Sequence, residues 1–482
     1  MNKIQYSYFL GLYPLLYLIS INQYLISRSS LVEITILFFS IILLIYILKS
    51  LLRLISDKVE KVQATIALII FNFYLVKTVK HLIIGIILTF LIYYFLANKK
   101  KILLNVHKIL VIMSLILISM PTIKIISFSI NKFFQKEVAN SLEKKVYMLD
   151  KNELRDIYYI VLDGYGGANT LKKYLDFDNS NFLNFLKTNS FYINEKSNSN
   201  YNFTSFSIPS VLNMDYLSSF NIDINDYPSE SVHKKINELM KNNKTKKYLD
   251  EFNYDYIMIP STYSKSWRPD NLNFIFEENF IDYDIFNLYI SKTIISRIKF
   301  AKNKIKEKWS DARRREILRQ LAFLKKEVHD IDGPKFVFAH ILSPHPPYVF
   351  NKNGSLAETK SDDGEWNYPE EYMNQIIYIN KEIKIIVDNI IEKSRIDPII
   401  IIESDTGPVL FEGETKMRMN INNLRAWHLP SFDKKLLNDE LTSVNIFRII
   451  FKNYLNLNID LIEDKVFYLD FAKEPKKTMQ IR

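Results

Sequence analysis

The stretch that decides the fold is PIIIIESDTGP, Pro398–Pro408. Isoleucines at Ile399, Ile400, Ile401 and Ile402 lead into Glu403, Ser404 and Asp405, and the chain turns at Gly407. A short run of β-branched residues closed off by prolines reads as a strand buried on both faces. Strands of that kind belong to parallel sheets covered by helices, and ligands gather beyond their carboxyl ends. The middle of this strand is therefore core, and its tip, Glu403 to Asp405, is where polar chemistry is expected.

Three other runs have the same character: DIYYIVLDGYGG (Asp156–Gly167), YDYIMIPS (Tyr254–Ser261) and KFVFAHILSPH (Lys335–His345). Helical patterns separate them. Between the last two strands, Ile376, Ile379, Ile383, Ile386 and Ile390 recur at spacings of three and four, which is one buried helix face. The expected architecture is a mostly parallel, helix-covered α/β sheet with Asp163, His345 and Asp405 at strand ends. There is no internal repeat and no long low-complexity tract.

The first third is different. Five apolar stretches occur, Tyr6–Leu25, Leu31–Leu48, Val62–Val76, Leu82–Ala97 and Ile109–Ile126. A spanning helix needs roughly 20 mostly apolar residues, so these predict a five-helix membrane bundle, the third and fourth spanning only with flanking residues. Lys49, Arg53, Lys58 and Lys61 follow the second stretch; Lys99, Lys100, Lys101 and Lys108 follow the fourth. The other two loops carry only Arg28, and Lys77 with Lys80. Basic loops stay cytoplasmic. The N-terminus is thus expected inside, with everything past the fifth span outside the plasma or inner membrane. The spans carry no charge near their centres, which fits an anchor contacting membrane lipids better than a transporter. The expected division is 1–127 membrane bundle, 128–152 charged linker and 153–482 outer domain.

Composition excludes several classes. The 482 residues contain no cysteine, so disulfides, thiol catalysis and Cys-ligated metal are ruled out. The net charge of +10 has no Arg-rich groove or nucleic-acid-binding motif behind it, so no nucleic-acid partner is expected.

Candidate chemistry sits at five places. Asp163 precedes a glycine-rich turn, where a carboxylate either caps the turn or faces a site. In SNYNFTSFSIPSVLNM (Ser199–Met214), Thr204 opens a helical pattern. A hydroxyl there is either a cap or a nucleophile facing an anion at the helix end. His340 lies inside a strand and reads as a core side chain. His345 sits among three prolines, on a stiff loop that suits a site. NNLRAWHLPSF (Asn422–Phe432) places Arg425 and His428 in a loop, lining a pocket or simply packing. Asp163, Thr204 and Asp405 are distant in sequence, and a parallel sheet would bring them to one edge. Two carboxylates and a hydroxyl make a hard oxygen site for a divalent cation.

This arrangement resembles the sulfatase-like branch of the alkaline phosphatase superfamily. It looks most like the membrane-anchored phosphoglycerol transferases of the lipoteichoic acid synthase type and the phosphoethanolamine transferases. The resemblance runs from about Asp156 to Tyr454. It rests on strand–Asp–Gly, the Thr before a Ser/Leu-rich helix, HILSPHPPYVF, IIESD.GP, NLRAWHLP and TSVNIFRIIF. It implies one divalent ion (Mn, Mg or Zn) held by Asp163, Thr204 and Asp405, with Thr204 as nucleophile. It also implies that His345, Arg425 and His428 meet a lipid- or glycan-linked phosphodiester. The family follows its late Asp with His, and this chain has Thr406, a poor ligand by comparison. The fourth position then falls to Thr406, to His428 or to water, or the metal is lost. Ser207-Ile208-Pro209-Ser210 begins like a formylglycine site, but Val211 replaces the required Arg, so that chemistry is not implied. Lack of disulfides leans toward the phosphoglycerol side. Two readings remain: a cell-envelope phosphotransferase or hydrolase, or a catalytically impaired relative that binds an envelope glycan, headgroup or partner.

Overall fold

The computed structural model describes residues 5–21, 28–54, 59–75, 84–85, 87, 91, 100–138, 153–269, 272, 289–290, 292–293, 299–362, 364–411, 413–470 and 477–481. The chain divides into two units, one of residues 1–142 with 281–309, the other of residues 143–280 with 310–482.

In the first unit, helices run over Tyr6–Ile21, Arg28–Arg53, Val59–Leu75 and Lys100–Val138. Two described segments are long and apolar enough to cross a membrane, Leu31–Arg53 and Leu104–Ser127, and Tyr6–Ile21 is a shorter apolar helix. Small cores join them, Ile45 with Val62 and Ile66, and Tyr6 with Ala67 and Val111. Phe39, Leu43, Ile112, Ile116 and Ile123 remain exposed, an apolar surface of the kind that water disfavours. The expected fourth span, Leu82–Ala97, falls largely outside the described residues, as do 139–152 of the expected linker. The last helix continues through Val138, so the first part of that linker is helical.

The second unit is an α/β domain. Its strands are β1 (Ile157–Leu162), β2 (Tyr192–Ile193), β3 (Asp255–Ile259), β4 (Lys335–Ile341), β5 (Ile399–Glu403) and β6 (Arg425–His428). They form one sheet in the order β2-β6-β5-β1-β4-β3. The four apolar runs read from sequence are its parallel core: β1 pairs with β4 and β5, and β3 with β4, all parallel. β6 runs antiparallel to β5. β1, β4 and β5 are buried along their whole length, because helices cover both faces. Side chains alternate faces along a strand. Ile157, Tyr159, Val161, Phe336, Phe338, Ile399 and Ile401 pack one face with Phe206, Val211 and Leu212 of the helix Thr204–Asn213. Tyr158, Ile160, Leu162, Val337, Ala339, Ile400 and Ile402 pack the other with the Ile376–Ile390 stripe of the helix Pro369–Lys393.

Candidate active site

Register decides which polar groups share a place. Val161 pairs with His340 on one side and with Glu403 on the other. Continuing that phase by two residues puts Asp163 and Asp405 side by side past the ends of adjacent strands, on the face that carries the helix Thr204–Asn213. Asp163, His340, Glu403 and Asp405 thus crown one apolar face.

Asp163 is 3 % exposed, and its Oδ2 lies 3.2 Å from His340 Nε2. Burial pushes its carboxyl up, but His345, then His340 and Arg313, outweigh that and hold it below the ordinary carboxylate range. Asp405 has the opposite balance. Burial first, and then the charge of Asp163, push its carboxyl up to about 7. Two buried carboxylates this close resist ionising together. The Thr204 side chain lies close enough to Asp405 to oppose part of that rise. Thr204 is the first residue of its helix, and no side chain caps that end, so it lies where the helix favours negative charge.

The turns that hold these groups interlock. Gly164, at φ 73°, gives its amide to Asp405 Oδ1 at 3.3 Å. The Tyr165 amide reaches Ser404 Oγ at 2.8 Å, and Ser404 Oγ donates to the Thr406 carbonyl at 2.6 Å. His345 is fixed on the far side. Its amide donates to the Asp163 carbonyl at 3.0 Å, and its ring meets Trp366 edge-on at 5.0 Å. Its Nδ1 is 2.6 Å from the Pro346 carbonyl.

Among the described residues no three His, Asp or Glu side chains already converge as a metal site. The donors nevertheless fit a divalent cation. Asp405 Oδ2 is buried without a hydrogen-bond partner, an arrangement that costs about 1–3 kcal/mol, more for a charged group, unless something satisfies it. Two carboxylates with a hydroxyl beside them are the oxygen ligands such an ion takes. Thr406 is also buried there, at 6 % exposed.

Two expected pocket residues lie elsewhere. NNLRAWHLP contains an antiparallel strand, β6, rather than only a loop. Arg425 pairs with Glu403 in register and is 1 % exposed. It points beneath the site, with Nε 3.7 Å from Glu403 Oε2 and terminal nitrogens on the Asn198 carbonyl (3.0 Å), Ser443 Oγ (2.9 Å) and the Leu441 carbonyl. It supports Glu403, which also accepts from Tyr159 at 3.1 Å and Trp427 at 3.3 Å. Because β6 runs backwards, His428 pairs with Ile400, near the start of β5, and binds Asp397 at 2.9 Å. It sits toward the opposite edge of the sheet from Asp405 and is not a fourth ligand.

Sequence reading missed two residues. His340 reads as core in the sequence; it is fully buried, yet it faces Asp163. The signal was its phase, two residues after Phe338 on the face that Val161 shares. Arg313 lies in the helix Lys299–Lys325, in a charged stretch that gave no hint of a role.

Residues 227–437 match the family model described as Sulfatase. No curated protein matches the chain. Among solved structures, the chain is similar to the C-terminal periplasmic domain of EptC from Escherichia coli at 11 % identity, covering 71 % of this chain and 97 % of that chain with a TM-score of 0.43. It is similar to the corresponding domain of the phosphoethanolamine transferase EptC from Campylobacter jejuni at 13 % identity, covering 67 % and 95 %, TM-score 0.37. It is also similar to the integral membrane lipooligosaccharide phosphoethanolamine transferase A (EptA) from Neisseria meningitidis at 12 % identity, covering 88 % of each, TM-score 0.36. The family match thus runs over residues 227–437, from before β3 to past β6.

Proposed function

We propose that the protein is a membrane-anchored, metal-dependent phosphotransferase or hydrolase acting on a lipid- or glycan-linked phosphodiester through Thr204. One observation carries this reading: the threonine that opens an uncapped helix stands near a buried carboxylate, Asp405, whose Oδ2 has no hydrogen-bond partner. The sulfatase-family match and the exposed apolar helices of the first unit support it.

Asp163, Asp405 and Thr204 would hold the divalent ion, which when bound polarises phosphoryl oxygen and makes the hydroxyl more acidic. Asp405 would take the Thr204 proton as the hydroxyl oxygen turns to phosphorus. Thr204 Oγ forms the new P–O bond as the bond to the departing alcohol breaks, giving a phosphothreonine. An acceptor hydroxyl or water then attacks the same phosphorus and frees Thr204. His345 and Arg313, whose charges reach Asp163, stand near enough to favour the spread negative charge of transfer. The outer domain would face the envelope side of a multi-pass anchor, where such headgroups are found.

Hydrolysis of bis(4-nitrophenyl) phosphate by full-length protein tests the reading. Thr204→Ala should abolish it with the fold intact; equal turnover would end the proposal. A second reading, a binding-only relative, is favoured by Thr406 and by the lack of three converged His, Asp or Glu ligands among the described residues. Metal analysis after reconstitution separates the two, since only the enzyme needs a stoichiometric ion.

A further inference from the structure

We propose that His340 supplies the nitrogen ligand that Thr406 cannot, so that the metal site of this chain draws its imidazole from the middle strand β4 instead of from the loop after β5. The inference rests on the metal-dependent reading above and concerns which side chains complete that site.

The contact between His340 Nε2 and Asp163 Oδ2 is 3.2 Å. Two ligands each about 2.0–2.1 Å from a tetrahedral zinc stand roughly 3.3 Å apart, so the pair is already spaced as neighbouring ligands are. The other ring nitrogen is anchored: Nδ1 lies 2.9 Å from Ser261 Oγ. Ser261 is itself braced by Ser264, whose Oγ takes the Ser261 amide at 2.9 Å and lies 3.1 Å from Ser261 Oγ. A metal-binding histidine characteristically gives its second nitrogen to such a partner, which sets the tautomer and the ring direction. Trp267 lies flat against the imidazole, centroids 6.2 Å apart at 11°, and Tyr263 meets it edge-on at 6.3 Å. The ring therefore has one direction in which to present Nε2, toward Asp163, and its charge reaches Asp405.

The competing histidine is less suited. His345 stands at the partly exposed rim, and its Nδ1 engages its own loop at Pro346. That placement fits an incoming phosphoryl group better than a buried ion. An ion held by both side chains would replace their direct hydrogen bond.

The test is zinc X-ray absorption with competition titration on the full-length protein in detergent, neither of which depends on turnover. The wild type should bind one zinc and show the multiple-scattering signature of an imidazole ligand. His340→Gln should lose that signature and bind zinc more than about 100-fold more weakly, beyond the 10–100-fold expected for loss of an outer-shell partner. His340→Gln with Thr406→His should regain both, which a folding defect at position 340 would not allow. His345→Gln should keep the signature. If the buried substitution prevents folding, Ser261→Ala decides: it should keep the signature and weaken zinc by about 10-fold or more, and unchanged affinity would overturn the inference. Zinc bound without an imidazole signature, or a signature that survives in His340→Gln, would also overturn it while leaving the phosphotransfer reading standing. A wild type that binds no divalent ion after reconstitution would overturn the metal-dependent reading itself, and this inference with it.

Discussion

The Gly164 amide donates to Asp405 Oδ1 across 3.3 Å, tying the turn after β1 to the turn after β5. That bond needs a backbone at φ 73°, and a Cβ at this position would run into the Trp366 ring. Gly164→Ala should therefore destabilise the outer domain by about 1–3 kcal/mol from backbone strain alone, with the clash adding to it. It should also lower turnover in the fraction that folds, because relieving the clash moves this amide away from Asp405. Urea denaturation alongside phosphodiester turnover checks both effects.

The Asp405 carboxyl, ordinarily at 3.8 and pushed up to about 7 in the fold, sets a pH dependence with a definite sign. The folded state holds this proton more tightly than the unfolded state. Its contribution to stability is complete below about pH 4 and is lost as the pH rises through about 7. Metal-free protein should accordingly lose Tm between pH 5 and 8, and Asp405→Asn should flatten that loss. Asp163, held low, contributes the opposite trend only below the ordinary carboxylate range. Added zinc or manganese must displace the proton, so apparent metal affinity should climb over the same window and then level. Affinity that falls as the pH rises would contradict the assignment.

Arg425 gives a prediction against the expectation drawn from sequence. It is enclosed with Glu403, and removing one partner of a buried pair costs about 3–5 kcal/mol. Arg425→Ala should lose stability of that order while KM for a phosphodiester stays near the wild-type value in folded protein. A raised KM with unchanged stability would restore the substrate-binding role.

How much was legible follows from which facts a strand carries by itself. The isoleucine run of β5 and the aromatic run of β1 announce burial locally, so Asp163 and Asp405 could be placed at strand tips without knowing their neighbours. The stripe Ile376–Ile390 likewise declares its own face. His340 could not be placed that way. Its role depends on register with Val161, a fact about two strands far apart in the chain that neither sequence states. Arg425 and His428 failed for a related reason. RAWH is too short to declare itself a strand, and its antiparallel direction sends His428 toward the wrong edge of the sheet. Arg313 was hidden because a charged helical residue reads as solvated until a carboxylate is found beside it.

The most direct test of the central claim is to trap the intermediate. Full-length protein reconstituted with manganese or zinc would be mixed with bis(4-nitrophenyl) phosphate, quenched in acid, digested and analysed by mass spectrometry. Thr204 should carry the 4-nitrophenyl phosphoryl group, formed at the rate of the first burst of nitrophenol and absent from Thr204→Ala. Steady turnover with no label on Thr204, surviving in Thr204→Ala, would contradict the account.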